Sequence, residues 1–278
     1  MVLVDLHTHT LASDGELSPQ AMLVLQAAEG TRLTAFTDHD TLDGWDQACA
    51  GAAATADGPR LISGIEFSSA ANGREIHVVG LGFDPDHPPL RKAVEGQARH
   101  RRARAEAIGA RLEHLGVHGA LEGAERLAQG SMLGRPHFAR FLVESGRVRN
   151  IEAAFRKYLG KGRPAASAVL WPELENPVAW IRAAGGIAVL AHPLAYELSR
   201  NQLHALVGRF RECGGEAIEV ALPGLDMAKL ALAANLARTH GLRASAGSDF
   251  HSTAQSWRLP SRIPPLPDFL EPVWNVWV

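Results

Sequence analysis

The sequence predicts an α/β protein in which strands and helices alternate around a barrel, and three observations lead to this prediction. Seven strand-like apolar runs occur along the 278 residues, and stretches with helical periodicity separate most of them. Six of the seven runs carry a histidine or a carboxylate at one end. One long stretch without strand signals interrupts the alternation. Catalytic groups of β/α barrels lie at the carboxyl ends of the strands, so we expect these polar residues to share one rim.

The first three strand-like runs each deliver candidate ligands. His7 and His9 are two residues apart after an apolar run, so both imidazoles can project to the same side. Helices are predicted between the runs, over residues 18–30 with Ser18 as N-cap and over Asp43 to Ala56. The runs with their candidate ligands are residues 2–4 with His7, His9 and Asp14, residues 33–37 with His39, and residues 61–67 with Glu66.

A hairpin is predicted after the third run. Asn72 and Gly73 separate two strand-like stretches, and Asn-Gly is the strongest short hairpin signal because both turn positions need positive φ. With a two-residue loop, His77 faces Ser68 and therefore shares one face with Glu66 as its diagonal neighbour. The hairpin should thus bring an imidazole beside a carboxylate.

Residues 91–168 differ in character from the rest, because strand signals vanish and helical ones dominate. This predicts an inserted helical subdomain, a lid, between the two parts of the barrel at residues 1–90 and 169–278. Its first helix is rich in arginine. The further predicted helices are Leu121–Gln129, Pro136–Ser145 and Ile151–Leu159.

Strands and helices alternate again after the insertion. The run at residues 187–191 ends in His192, and the run at residues 243–246 leads to Asp249 and His251. The run at residues 217–221 between them offers no ligand at its end.

Together the strand ends supply nine candidate metal ligands, which is more than one ion needs. Two or three divalent ions would use them, with Glu66 and Asp249 as bridging carboxylates. An all-nitrogen and oxygen donor set suits manganese first, with iron or zinc as alternatives. Clustered ions of this kind generate hydroxide near neutral pH and stabilise in-line displacement at phosphorus. The nine residues are His7, His9, Asp14, His39, Glu66, His77, His192, Asp249 and His251.

Several basic residues of the insertion are candidates for binding a substrate phosphate. Arg135 and His137 begin a helix, and a helix N-terminus and a guanidinium both attract anions. Arg101 and Arg104 are three residues apart, so they lie on one side of the arginine-rich helix. Ordinary solvated helix faces are the alternative explanation for these charges.

Composition excludes several classes of protein. The formal net charge of −2 argues against a generally basic nucleic-acid binder, and no apolar run approaches the roughly 20 residues of a membrane span. Neither Cys49 nor Cys213 lies in a CxxC pair, which favours a reducing cytoplasm. We expect no leader peptide, no membrane contact and no obligate protein partner.

The ordered motifs resemble those of the polymerase and histidinol phosphatase (PHP) family. They are DLHTHT, SDG, TDHD, GIEFS, EIHVVG, LAHP and GSDFH, and they extend over nearly the whole chain. Within that family, LGRPHFARFLVESG and FRKYLGKGRPA of the insertion are similar to the 3′,5′-nucleoside bisphosphate phosphatases. Some relatives of this subgroup act as 5′-to-3′ exoribonucleases on short RNA.

The resemblance implies a distorted seven-stranded β/α barrel with a helical lid and three metal ions. It also implies a phosphate-binding role for Lys161 or Arg163, without deciding between them. It assigns the ligands in three groups, namely His7, His9, Glu66 and Asp249 to one ion, Glu66, His77 and His192 to a second, and Asp14, His39 and His251 to a third.

The sequence therefore predicts a metal-dependent phosphohydrolase that acts on a small nucleotide. The expected reaction removes the 3′-phosphate of adenosine 3′,5′-bisphosphate by attack of a metal-activated hydroxide. The alternatives are a 5′-to-3′ exoribonuclease that uses the same metals on short RNA, a histidinol phosphate phosphatase, and a non-catalytic metal-bound module.

Overall fold

The computed structural model describes residues 2–51, 58–166 and 171–278, and within these ranges it has an α/β fold. The end of the predicted helix at residues 52–56 and the end of the predicted insertion at residues 167–168 lie outside the described residues. The strands are β1 (Val4–Thr8), β2 (Leu33–Phe36), β3 (Arg60–Ile62), β4 (Gly64–Ala71), β5 (Arg74–Leu81), β6 (Ile187–Leu190), β7 (Ala217–Ala221) and β8 (Arg243–Ala246).

Nine α-helices lie in the described part of the chain. They are α1 (Pro19–Ala28), α2 (Asp43–Ala50), α3 (Pro88–His114), α4 (Ala120–Ala128), α5 (Arg135–Glu144), α6 (Ile151–Ala154), α7 (Glu175–Ala183), α8 (Arg200–Glu212) and α9 (Met227–His240). Ser18 caps α1 as predicted, because its hydroxyl accepts a hydrogen bond from the Ala21 N–H over 3.2 Å. None of the described helices combines the length and apolarity that a membrane span requires.

The strands form two sheets. The first has the order β1-β2-β3 and is parallel, and the second has the order β4-β5-β6-β7-β8. In the second sheet β5 runs antiparallel to both neighbours, whereas β6, β7 and β8 are parallel. Two isolated β-bridges, each a single backbone-paired couple of residues, connect the sheets. One joins Thr8 to Phe250 and the other joins His39 to Glu66. The second bridge links two of the candidate ligands directly.

The predicted third strand over residues 61–67 is divided in the structure. It leaves the first sheet after Ile62 and enters the second sheet at Gly64. The Ser63 hydroxyl donates to the Phe83 carbonyl over 2.6 Å, which stabilises the step between the sheets. A side chain at Gly64 would come within 2.5 Å of the Phe36 carbonyl oxygen, so the close approach of the two sheets requires glycine.

The predicted hairpin is confirmed with its register. Strands β4 and β5 pair antiparallel, with Ala71 opposite Arg74 and Ser68 opposite His77. Asn72 and Gly73 both have positive φ, at 50° and 70°, as the two-residue loop demands.

Buried apolar side chains form separate clusters on the two parts of the molecule. One joins the five-stranded sheet to α7, α8 and α9 through residues such as Phe67, Val178, Phe210 and Leu236. Another joins the end of α3 to α4, α5 and α6 and includes Ile108, Leu112, Ala124, Phe138, Leu142 and Ala154. The helical stretch therefore has a core of its own.

Candidate metal centre

The structure brings all nine predicted ligands together, with Glu66 at the centre of the group; Glu66 and His77 lie within strands β4 and β5, whereas residues such as His39, His192 and Asp249 follow strand ends. Glu66 is fully buried on β4. The imidazole nitrogens of five histidines lie close to its two carboxylate oxygens. These are His77 Nδ1 at 2.9 Å, His192 Nε2 at 3.0 Å and His7 Nε2 at 3.4 Å from Oε1, and His39 Nδ1 at 2.8 Å and His9 Nε2 at 3.5 Å from Oε2.

Asp14 gathers the histidines on another side of the cluster. Its Oδ1 lies 3.4 Å from His251 Nε2 and 3.8 Å from His9 Nδ1, and its Oδ2 lies 3.8 Å from His39 Nε2. The rings of His9 and His251 stack with centroids 4.1 Å apart. His9 and His39 thus connect the surroundings of Asp14 to those of Glu66.

Asp249 approaches the cluster with one oxygen only. Its Oδ1 lies 3.7 Å from His7 Nε2 and 3.4 Å from His9 Nε2. Its Oδ2 accepts a hydrogen bond from the Arg258 guanidinium over 2.5 Å. The second oxygen, which the bridging role expected from the sequence would use, is therefore paired with an arginine.

Local backbone geometry aims these side chains inward. His7 lies on β1, and His9 follows just after that strand ends. Asp249 and His192 have positive φ, at 50° and 27°, in a region that few residues other than glycine adopt. Such backbone conformations concentrate at functional sites, where neighbouring groups hold them in place.

The charges of the cluster perturb one another strongly. Burial raises the pKa of Glu66, but the charges of His77, His39 and His7 more than reverse this, and its pKa lies well below the usual range. Burial lowers the pKa of His77, yet the charge and hydrogen bond of Glu66 raise it to about 10.

The pKa values of two neighbouring histidines, His9 and His251, shift in opposite directions. Burial, together with the positive charge of His251, lowers the pKa of His9 to about 3. The opposite holds for His251, because the charge of Asp14 outweighs burial and raises its pKa to about 9.

The donor set fits divalent cations. Nε2 of His7 and Nε2 of His9 face each other at 3.1 Å, although at most one of them can carry a proton between them. Within the described residues, the buried His9 Nδ1 and His192 Nδ1 have no hydrogen-bond partner. Three groups have ligand atoms all within 4.8 Å of one another, namely His9, Asp14, His39 and His251; His7, His9 and Glu66; and His39, Glu66 and His77.

Several buried polar residues beneath the cluster were not identified from the sequence. Asp38 accepts hydrogen bonds from the Thr10 N–H over 2.8 Å and from the Ser13 hydroxyl over 2.6 Å, so it fixes the loop before Asp14. Glu219 on β7 bonds to His7 Nδ1 over 2.6 Å. Asp38 stands in TDHD and could have been singled out there, whereas Glu219 lies within a strand that shows no ligand at its end.

A cavity of 810 Å³ lies beside the cluster. Glu75 lines it, and Glu75 Oε1 is 3.6 Å from Nε2 of His77. Four of the six residues predicted to bind substrate also line this cavity, namely Arg104, Arg135, Lys161 and Arg163.

The other two predicted substrate residues are placed differently. Among the described residues that line the cavity, neither Arg101 nor His137 occurs. Arg101 is buried against Asp40 and Ser68, to which its guanidinium donates over 2.6 and 3.0 Å. His137 accepts the Gly134 N–H on Nδ1 over 3.1 Å, so its ring caps the start of α5.

Comparisons with known proteins give relatives that match almost the whole chain. No family model matches the chain. A 3′,5′-nucleoside bisphosphate phosphatase from Chromobacterium violaceum is 40% identical over 99% of this chain and 96% of its own length. The 5′-3′ exoribonuclease Rnm of Escherichia coli is 41% identical over 99% of this chain and 94% of its own.

Solved structures show the same fold. An amidohydrolase from Chromobacterium violaceum, in a structure with bound sulfate and no metal, superposes with a TM-score of 0.91 at 38% identity and covers 99% of this chain and 95% of that one. A putative metal-dependent phosphoesterase from Bifidobacterium adolescentis gives a TM-score of 0.80 at 23% identity, covering 98% of this chain and 93% of that one.

The fold, the cluster and these relatives define a hydrolase of the phosphoesterase class. The chain belongs to the PHP family, in the group that includes 3′,5′-nucleoside bisphosphate phosphatase and the exoribonuclease Rnm.

Proposed function

We propose that the protein removes the 3′-phosphate from nucleoside 3′,5′-bisphosphates, with adenosine 3′,5′-bisphosphate as the expected substrate, and releases the nucleoside 5′-monophosphate and inorganic phosphate. The observation that carries this proposal is the position of a cavity lined by cations immediately beside the histidine and carboxylate cluster. A bisphosphate has two phosphates, so one could lie at the histidine and carboxylate cluster and the other in the cavity. The relative from Chromobacterium violaceum, named for this activity, supports the assignment.

The nine clustered residues are proposed to hold two or three divalent ions, with manganese as the first candidate and iron or zinc as alternatives. The proposed groups are His7, His9, Glu66 and Asp249; Glu66, His77 and His192; and Asp14, His39 and His251. Ions in these positions would supply Lewis-acid stabilisation of the phosphate and a nucleophile from water at neutral pH. Two observations support this proposal. The ligand atoms lie close to one another, and some of the buried ones have no hydrogen-bond partner among the described residues.

The remote phosphate is proposed to bind the cations of the cavity. Within the described chain, no carboxylate lies within 4 Å of the charged nitrogens of Lys161 or Arg163, so both are available to an anion. Arg135 lies near one carboxylate among the residues described, with 3.4 Å between its guanidinium and Glu75. Arg104 is committed more tightly, because it bonds to both oxygens of Glu75 over 2.8 and 2.9 Å.

This arrangement would make binding of the uncleaved phosphate position the reacting one. Binding energy from a remote group contributes to catalysis when it orients the reacting centre. The cavity therefore offers a physical reason for preferring a bisphosphate over a monophosphate.

The architecture is proposed to be a distorted seven-stranded β/α barrel with residues 91–168 as its lid. The two bridges that join the sheets support closure, and the separate core of the helices supports an inserted unit. The helices also contact the loop that carries Asp14, because the Met132 N–H donates to the Ala12 carbonyl over 3.0 Å and Arg140 donates to the Asp14 carbonyl over 3.1 Å.

A 5′-3′ exoribonuclease acting on short RNA is the second candidate, and the 41% identity to Rnm over nearly the whole chain favours it. Either substrate would approach the same cavity.

Cys49 and Cys213 are both free thiols, which fits the proposed cytoplasmic location. A small nucleotide or a short RNA is the only partner that we propose.

A substrate panel tests the proposal. The measurement is kcat/KM with Mn²⁺ for adenosine 3′,5′-bisphosphate, 5′-AMP, 3′-AMP and a 5′-phosphorylated RNA tetramer. We expect kcat/KM for the bisphosphate to exceed kcat/KM for both monophosphates and for the tetramer. A higher kcat/KM for the tetramer would contradict the phosphatase proposal and favour the exoribonuclease.

A further inference from the structure

Strand β7 carries a buried carboxylate directly behind the metal centre, although the strand contributes none of the nine candidate ligands. Glu219 is 1% exposed. Both of its oxygens are used, because Oε1 bonds to His7 Nδ1 over 2.6 Å and Oε2 accepts the His192 N–H over 2.5 Å. One side chain thus holds two of the candidate ligands, which come from different strands.

We propose that Glu219 is a positioning residue that fixes the tautomer of His7 and the backbone of His192, and so determines which nitrogen His7 presents to the ions and where the His192 ring lies. The proposal rests on the proposed function, because it presumes that the cluster binds metal. Glu219 is not itself one of the nine candidate ligands. Its proposed role is to orient two of them before an ion binds.

The effect on His7 follows from hydrogen-bond chemistry. An ionised carboxylate only accepts hydrogen bonds, so the proton between Glu219 and His7 belongs to Nδ1 of the imidazole. The lone pair of the neutral ring is then on Nε2. That nitrogen faces the centre, at 3.1 Å from His9 Nε2 and 3.4 Å from Glu66 Oε1. Metal-bound histidines commonly donate their other ring N–H to a carboxylate, and this contact fixes the ring orientation.

The effect on His192 is on its main chain. His192 has φ 27° and ψ 57°, a left-handed conformation that few residues other than glycine adopt. The bond from its N–H to Glu219 Oε2 holds this conformation from one side, and the Ala195 N–H, which donates to the His192 carbonyl over 2.9 Å, holds it from the other. The His192 ring then places Nε2 3.0 Å from Glu66 Oε1.

Substituting glutamine for Glu219 separates positioning from packing. Glutamine has nearly the same shape, but it has one acceptor oxygen and one donor NH₂ group. The His192 N–H is a donor and requires the oxygen, so the NH₂ group must face His7 Nδ1. His7 would then carry its proton on Nε2, which points into the centre and could no longer bind a cation.

The test compares Mn²⁺ binding by wild type, Glu219→Gln and the control Glu216→Gln, using calorimetry and metal analysis. Glu216 precedes the same strand and bonds to Arg243 over 2.7 Å, away from the cluster. We expect Glu219→Gln to lose about 10–100-fold in Mn²⁺ affinity, with the near-ultraviolet circular dichroism of the wild type, and Glu216→Gln to bind normally. Equal affinity in Glu219→Gln and wild type would overturn the role of Glu219 alone. A wild type that binds none of Mn²⁺, Fe²⁺ and Zn²⁺ would overturn the proposed function and this inference together.

A second measurement needs no variant and decides the case if Glu219→Gln does not fold. Nitrogen-15 spectra of the histidines in the Zn²⁺-loaded wild type should show His7 protonated at Nδ1 and not at Nε2. A His7 ring protonated at Nε2 would contradict the inference.

Discussion

Nε of Arg101 donates to Oδ2 of Asp40 across 2.6 Å, and both side chains are almost completely buried. Gln97, one turn earlier on α3, donates to the other oxygen of Asp40 over 2.8 Å. The first helix of the proposed lid is therefore attached to the loop after β2 by a buried ion pair. This contact gives Arg101 a structural role that the arginine-rich sequence did not reveal.

Removing Arg101 should destabilise the protein. Arg101→Ala leaves the carboxyl of Asp40 buried and without its guanidinium partner, and losing one partner of a buried pair typically costs about 3–5 kcal/mol of unfolding free energy. Arg102→Ala is the matched control, because Arg102 is half exposed and pairs with Glu106 over 2.8 Å and with Glu125 at the surface, where ion pairs contribute little to stability. Chemical denaturation of the three proteins measures both effects. Similar stability of the two variants would contradict the structural role of Arg101.

Removing Arg135 should change substrate preference. Only a bisphosphate has the remote phosphate that Arg135 is proposed to bind, so Arg135→Ala should lower kcat/KM for the bisphosphate by far more than for either monophosphate. A lost charged hydrogen bond of about 1.5–3 kcal/mol corresponds to roughly 10–150-fold. Arg111→Ala, at an exposed position of α3, is the control and should leave every substrate unchanged. Equal losses on all substrates would remove Arg135 from the phosphate site.

Replacing Asp249 should remove activity and preserve the fold. Asp249→Asn keeps the shape of the side chain but takes a negative charge from beside His7 and His9, so kcat/KM should fall by more than about 100-fold. Asp226→Asn is the isosteric control, because Asp226 is the N-cap of α9 and asparagine caps helices equally well. Circular dichroism should be unchanged in both variants. Wild-type activity in Asp249→Asn would exclude the proposed metal mechanism.

Metal binding should release protons at pH 7. The pKa of His77, raised to about 10, and that of His251, raised to about 9, keep both imidazoles protonated in the metal-free protein at this pH. A cation binds only the deprotonated ring, so Mn²⁺ must displace these protons, and its affinity should fall as pH falls. Calorimetry in two buffers of different ionisation enthalpy counts the protons.

A control histidine gives this experiment its specificity. His77→Ala should release fewer protons than wild type, whereas His118→Ala should match wild type because His118 is exposed and pairs with Glu113 in the helical region. If Mn²⁺ binding to the wild type releases no protons, the buried histidines are already neutral in the metal-free protein, and the prediction is wrong.

The proximity of Glu66 and His77 could be predicted from sequence because it depends on local rules. Asn72-Gly73 sets the loop length, the loop sets the register, and the alternation of a strand sets the face. The strand-end positions of His7, His39 and Asp249 follow in a similar way from apolar runs that end in polar residues.

Partner choice between distant segments could not be predicted in this way. Arg101 and Arg104 are three residues apart on one helix, yet one pairs with Asp40 and the other with Glu75. Spacing along the helix gives their common side but not the carboxylates that the fold places there. Glu219 was missed for a related reason, since its role depends on His7, which is 212 positions away in the sequence and contacts it only in the folded protein.

The identity of the product from adenosine 3′,5′-bisphosphate tests the central claim most directly. The Mn²⁺-loaded protein should convert it to 5′-AMP and inorganic phosphate in equal amounts, and removal of the metal by a chelator should stop the reaction. Formation of 3′-AMP, or no release of phosphate by a protein that degrades the RNA tetramer, would contradict the account.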